Sequence, residues 1–97
     1  MPKLLESQEI ENWLMKNQGW SLSADQKSIT KKFKFTNFVA AFSWMTSIAL
    51  VAEKMDHHPD WANVYNKVDI SLTTHDAGGI TKLDLELASY MDSSYEK

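Results

Sequence analysis

The chain has no cysteine and no arginine, only three glycines, two prolines and three histidines, and no apolar run as long as a bilayer requires. Each shortage excludes something. Without cysteine there is no disulfide framework, no thiolate nucleophile and no cysteine-type zinc site, so stability must come from packing or from association between chains. A reducing, cytoplasmic compartment fits that composition. Without arginine the bidentate guanidinium contacts that dominate phosphate and guanine recognition are missing, and the net charge of −3 adds repulsion. Direct nucleic-acid binding is not expected. The most apolar stretch, Phe38 to Ala52, is about 15 residues interrupted by Ser43, Thr46 and Ser47, against the roughly 20 that a spanning helix needs. It reads as a core helix and not as a membrane span. The amino-terminal MPKLLESQEIENW mixes acids with apolar residues and lacks the apolar centre of an export signal.

What is present suffices for one compact core. In 97 residues, 43% apolar with four Trp, four Phe and three Tyr, the expectation is a single domain spanning 1–97. Ser7 is placed to cap a first helix whose Ile10, Trp13 and Leu14 fall on one face, and Gly19 stops it. A short strand through Gly19 to Ser23 and a longer one from Ser28 to Phe35 follow. In the longer strand Ile29, Phe33 and Phe35 alternate with Thr30, Lys32 and Lys34, the pattern of a half-buried hairpin. Thr36 opens a long helix to about Lys54, with Phe38, Phe42, Met45, Ala49 and Ala52 expected on the sheet. Val64 to Thr74 is β-branched, with Val68, Ile70 and Leu72 facing one way, and Asn66-Lys67 marks a bulge or a break. Gly78-Gly79 has no phosphate-loop spacing and reads as a turn. The spacing of Thr81 and Asp84 predicts a capping box for a last helix striped by Leu87, Ala88, Met91 and Tyr95. The class is therefore α+β, in two layers: an antiparallel sheet with about three helices on one face. An open sheet edge is a liability that pairing between subunits relieves, so a homo-oligomer is expected.

All three histidines fall within Asp56 to Asp76, in DHHPDWANVYNKVDISLTTHD. Neighbours on a strand point to opposite faces, so His57 and His58 can share a pocket only where the backbone is not extended. Pro59, just past a long helix, makes such a loop. Imidazole titrates near neutrality, so one ring can donate a proton while another accepts one, which is what an elimination requires. Asp56, Asp60 and Asp76 are close enough in sequence to orient or charge a ring. Two other readings of the residues stand beside this one: structural or surface histidines, and a three-histidine metal site. The second is weakened because adjacent histidines chelate one ion poorly and no His-x-x-x-His spacing occurs. Asp84 reads as a helix cap before a ligand contact, and Trp20 and Trp61 fit the core as well as stacking on a planar ligand.

The run Glu53-Lys54-Met55-Asp56-His57-His58-Pro59, then Trp61, Asn63 to Val68, Thr74-His75, and Gly79-Ile80-Thr81 with Asp84 resembles the signature of the pterin-4a-carbinolamine dehydratases. The likeness extends upstream through Gly19-Trp20 and the Lys-Lys-Phe-Lys-Phe strand. It implies dehydration of a 4a-hydroxytetrahydropterin to the quinonoid dihydropterin, a recycling step for aromatic amino-acid hydroxylases, with no metal or redox cofactor. It makes His57 and His75 the acid–base pair and His58 an orienting group. Pro59 and the Thr74-His75-Asp76-Ala77 segment would line the pterin pocket, with Trp20 and Glu53 beside it. The implied partners are the pterin, a homodimer or homotetramer, a hydroxylase, or a homeodomain transcription factor for which animal members act as dimerisation cofactor. Location follows as cytoplasmic, and also nuclear in a eukaryote. One departure stands out: family members often carry a basic residue just before the last helix's aspartate, whereas this chain has Leu83 there and Lys82 one place earlier.

Overall fold

The computed structural model describes residues 2–95. Its first helix, α1 (Ser7–Lys16), begins one residue earlier than Ser7 capping would require. Glu6 is the cap: its extended backbone receives the Glu9 carboxylate on its amide at 3.0 Å, and the Glu6 side chain answers on the third residue of the helix. The reciprocal pair satisfies two of the free amides at the helix start, so Ser7 is displaced into the first turn.

Four strands form one antiparallel sheet in the order β1-β2-β4-β3: β1 (Ser21–Leu22), β2 (Ile29–Lys34), β3 (Asp60–Val64) and β4 (Lys67–Leu72). The stretch expected to be bent or interrupted is a hairpin. Tyr65 takes a left-handed φ of 53°, and the Asn63 side-chain amide donates to the carbonyls of Tyr65 and Lys67. The break belongs to this turn, because Asn and Tyr-Asn supply local hydrogen bonds that a continuous strand has no use for. Across the central pair Ile29 faces Leu72 and Phe33 faces Val68, so period-two alternation puts Ile29, Phe33, Val68, Ile70 and Leu72 on the buried face. Each such side chain contributes about 1.5–3 kcal/mol by leaving water.

Helix α2 (Phe38–Met55) starts at Asn37, whose side chain accepts the Ala40 amide at 2.8 Å, and not at Thr36. The expected sheet-facing stripe is corrected too. The buried residues are Ala41, Trp44, Ile48 and Ala52, while Phe38, Phe42 and Ala49 are exposed. Trp44 decides the rotation: its ring sits 4.7 Å from Phe33 and 5.2 Å from Phe35, and its indole N–H donates to Ser94. Only that face carries both the small residues for close approach and the large ring that fills the sheet's hollow. The helix is apolar enough to pass for a membrane span, with a mean hydropathy of 1.3 over 18 residues. Yet it rises about 27 Å, short of a core of about 30 Å, and one stripe covers the sheet.

Helix α3 (Lys82–Ser94) has the expected capping box between Thr81 and Asp84, and buries Leu87, Ala88 and Met91. Tyr95 follows it and packs edge-on against Phe33 and Phe35. Among the described residues this is the α+β arrangement expected, three helices against an antiparallel sheet.

Candidate active site

The site begins where α2 ends. Asp56 takes a left-handed conformation, φ 55° and ψ 42°, which aspartate tolerates better than most residues. That residue stops the helix and swings the chain, and the His57 amide is caught by the Ala52 carbonyl at 3.0 Å. Residues 56–59 are therefore neither helical nor extended, and His57 and His58 line one cavity despite being adjacent.

His75 reaches the same cavity from the far end of β4. There Thr74 bridges to Gly79, and a single 3₁₀ turn, His75–Ala77, is closed by Gly78 at φ 80°. Its positive φ explains the glycine. The cavity measures about 400 Å³ and is shared by Asp56, Thr73, Thr74 and Asp76, with Pro2, Met55 and Leu83 as its apolar wall.

The three rings differ in setting. His57 is 7% exposed, and its Nε2 lies 2.6 Å from an Asp84 oxygen that is fully buried. The second Asp84 oxygen accepts the Thr74 hydroxyl at 2.8 Å and the Thr81 amide at 2.9 Å. Thr74 spends its only hydroxyl hydrogen on Asp84, so in the 2.7 Å contact between the two threonines Thr81 is the donor. A buried carboxylate is tolerable because every lone-pair direction used is met by a donor. An ionised carboxylate only accepts, so against one Nε2 is the nitrogen that carries a proton, and the Nδ1 of a neutral ring is then an acceptor. Among the described residues Nδ1 makes no hydrogen bond, and no buried side-chain nitrogen or oxygen lacks one, so Nδ1 is solvent-accessible on a ring that lines the cavity.

His58 is largely exposed, its Nε2 2.9 Å from the Glu53 carboxylate one turn back on α2. Such a pair contributes little to stability, about 0–1 kcal/mol, but holds a ring in place. His75 is exposed on its turn. Of the other residues expected around a ligand, Thr74 and Asp76 line the cavity. Glu53, Pro59 and Ala77 adjoin lining residues without lining it themselves.

Trp20 is not among the residues that line the cavity. It lies in the core against Trp13 and Phe33, its indole N–H donating to Asp92 at 2.9 Å, with the Lys31 ammonium over its ring. An apolar ring with one satisfied donor is at home there and has no reason to leave for the histidines. Sequence reasoning gave Asp84 to helix capping, and the residue does that, but it also holds His57. No local signal announces the second task, since the partners are 27 residues apart. Pro2 and Thr73 carried no signal either.

Among the described residues no three His, Asp or Glu side chains converge as a metal-ligand set. The fold and the clustered imidazoles define a small α+β domain with three histidines on one cavity. Comparison with known proteins makes that specific. Residues 3–94 match the family model for pterin 4 alpha carbinolamine dehydratase. A relative from Sinorhizobium fredii (strain NGR234) is 53% identical over 93 residues, covering 96% of this chain and 89% of its own. One from Prochlorococcus marinus (strain NATL2A) is 51% identical over 92 residues, 95% of each. Both carry the provisional name pterin-4-alpha-carbinolamine dehydratase. A Brucella melitensis crystal structure described as a transcriptional coactivator/pterin dehydratase superposes with a TM-score of 0.88 at 43% identity, covering 92% of this chain and 95% of that one. The chain belongs to the pterin 4 alpha carbinolamine dehydratase family, a family of hydro-lyases.

Proposed function

We propose that the protein dehydrates 4a-hydroxytetrahydropterins by histidine acid–base catalysis, and so returns the pterin used by aromatic amino-acid hydroxylases to its recycling path. The observation that carries this reading is the convergence of His57, His58 and His75 on one cavity, with the buried ring held by Asp84 and its second nitrogen unbonded and accessible. In the reaction the C4a–O bond breaks and the departing hydroxide is protonated by one imidazole to give water. A second imidazole takes the N5 proton, and the electrons of that N–H bond form the C4a=N5 double bond. The quinonoid dihydropterin and one water account for every atom, with no oxidant or metal needed. His57 and His75 are the pair; His58, Thr74 and Asp76 position the ring. A proton received at His57 Nδ1 leaves an imidazolium against the Asp84 carboxylate, which stabilises it. Either histidine can serve as acid, because the two faces of the 4a-alcohol exchange the roles.

The test is the decay of freshly generated 4a-hydroxytetrahydropterin followed by stopped-flow absorbance in the presence of chelator. Wild type is expected to accelerate it, and His57→Ala and His75→Ala each to lose about 10²–10⁴-fold. No acceleration by wild type sinks the proposal; loss only on chelation would restore the metal reading.

A second reading, a protein-interaction module, is favoured by one observation: α2 leaves Phe38, Val39, Phe42 and Leu50 exposed on the side away from the sheet. That face is where a second copy of the chain or a transcription-factor partner would dock. Substitutions there should change association and spare dehydration, while histidine substitutions should do the reverse.

A further inference from the structure

The cavity's charge is uneven, and the imbalance bears on which pterins it takes. Two carboxylates line it from separate elements, Asp56 at the left-handed end of α2 and Asp76 on the 3₁₀ turn. A third, Glu53, stands behind His58. Among the described residues no lysine lines it: Lys54 and Lys82 immediately precede Met55 and Leu83 without joining them, and the chain has no arginine to offer. Beside the acids, Pro2, Met55 and Leu83 add hydrocarbon to the lining.

We infer that this site, on the dehydratase reading above, selects reduced pterins whose side chain is uncharged and turns away those whose side chain carries phosphate or carboxylate. The pterin ring's donor and acceptor edge is left to the histidines, because the Thr73 and Thr74 hydroxyls already donate to the Lys27 carbonyl and to Asp84. Its substituent then meets either a hydrocarbon wall or a carboxylate. An anionic group loses its hydration there and gains no cation, whereas a hydroxyl hydrogen-bonds to Asp56 or Asp76 and an alkyl carbon rests on Leu83. Because Asp56 and Asp76 are exposed, the repulsion is moderate and screened by salt: on the order of tenfold against a phosphate at low ionic strength, and less at high. Salt dependence separates this mechanism from plain steric exclusion, which salt does not touch.

The experiment is equilibrium binding, by fluorescence quenching, of 6-hydroxymethyl-7,8-dihydropterin and of its phosphate ester, at low and high salt. The proteins compared are wild type, the double variant Asp56→Asn with Asp76→Asn, and Leu83→Lys. Asparagine accepts the left-handed conformation, so the turn at position 56 survives. Wild type should bind the neutral pterin about tenfold more tightly at low salt; the ratio should shrink toward one at high salt and in the double variant, and favour the ester in Leu83→Lys. Equal affinities in wild type, preference for the ester, no binding of either, or a ratio indifferent to salt and to both carboxylates overturns the inference. Failure of the dehydratase reading would look different: neutral pterin bound selectively, but carbinolamine decay unaccelerated.

Discussion

His57 owes its tautomer to Asp84, and the consequence is testable at that one carboxylate. Replacing Asp84 with Asn keeps an oxygen for the Thr81 amide. It also sets an amide N–H against Nε2, which then has to accept, so the proton moves to Nδ1 and the ring no longer offers a base to the cavity. We expect Asp84→Asn to lower kcat about a hundredfold or more with a smaller change in KM, and ¹⁵N spectra of the imidazole to report the exchanged tautomer. A purely structural role would leave that spectrum unchanged. Asp84→Ala also strands the Thr74 hydroxyl and the Thr81 amide, and should cost about 3 kcal/mol in denaturant unfolding. At this scale the sequence was half legible. Three imidazoles in one fifth of the chain were visible as a cluster, because their number is small and their chemistry distinctive. The partner that fixes one of them looked like any helix cap, and Trp20 fitted stacking and the core equally well, because neither a distant hydrogen bond nor burial leaves a mark on neighbouring residues.

Among the elements, the two short turns that deliver the histidines matter more than the helices they join. Asp56 ends α2 in the left-handed region, where Gly is at ease and a β-branched residue is strained by about 1–2 kcal/mol. Asp56→Gly should therefore fold normally, whereas Asp56→Val should lower the melting temperature and reduce carbinolamine decay, since the reversal that brings His57 and His58 to one side is disturbed. If Asp56→Val is as stable and as active as Asp56→Gly, the turn is not what aligns the rings. Elements with one apolar face were read correctly: β2, β4 and α3 each present a single stripe, and period two or 3.6 identifies it. α2 was rotated wrongly because it is apolar on both sides. Phe38, Phe42 and Ala49 repeat as regularly as Ala41, Trp44 and Ile48, and nothing within the helix says which set meets the sheet. Packing of Trp44 against Phe33 and Phe35 decides that.

For the molecule as a whole, the misread face becomes informative. The Cα radius of gyration is 13.0 Å, what about 100 residues packed compactly give, so the exposed aromatic rings of α2 are not a sign of loose packing. Phe38 and Phe42 lie 5.7 Å apart, with Val39 and Leu50 on the same outward side, both 70% exposed. A soluble monomer rarely leaves such a patch on one helix, and leaving it in water forfeits about 25 cal/mol for each square ångström. Association through this face recovers that free energy, whichever partner supplies the other half. The acids do not oppose it, because α2 carries only Glu53 and Lys54, both at its far end. Light scattering of the wild type should therefore give a mass at least twice 11.1 kDa, and Phe42→Asp combined with Leu50→Asp should return the monomer value. Dehydration should persist in that variant if each cavity is complete within one chain. A wild type that is monomeric at micromolar concentration would assign the face to a different protein, and a monomeric variant that has lost its activity would show that the neighbouring copy completes the site.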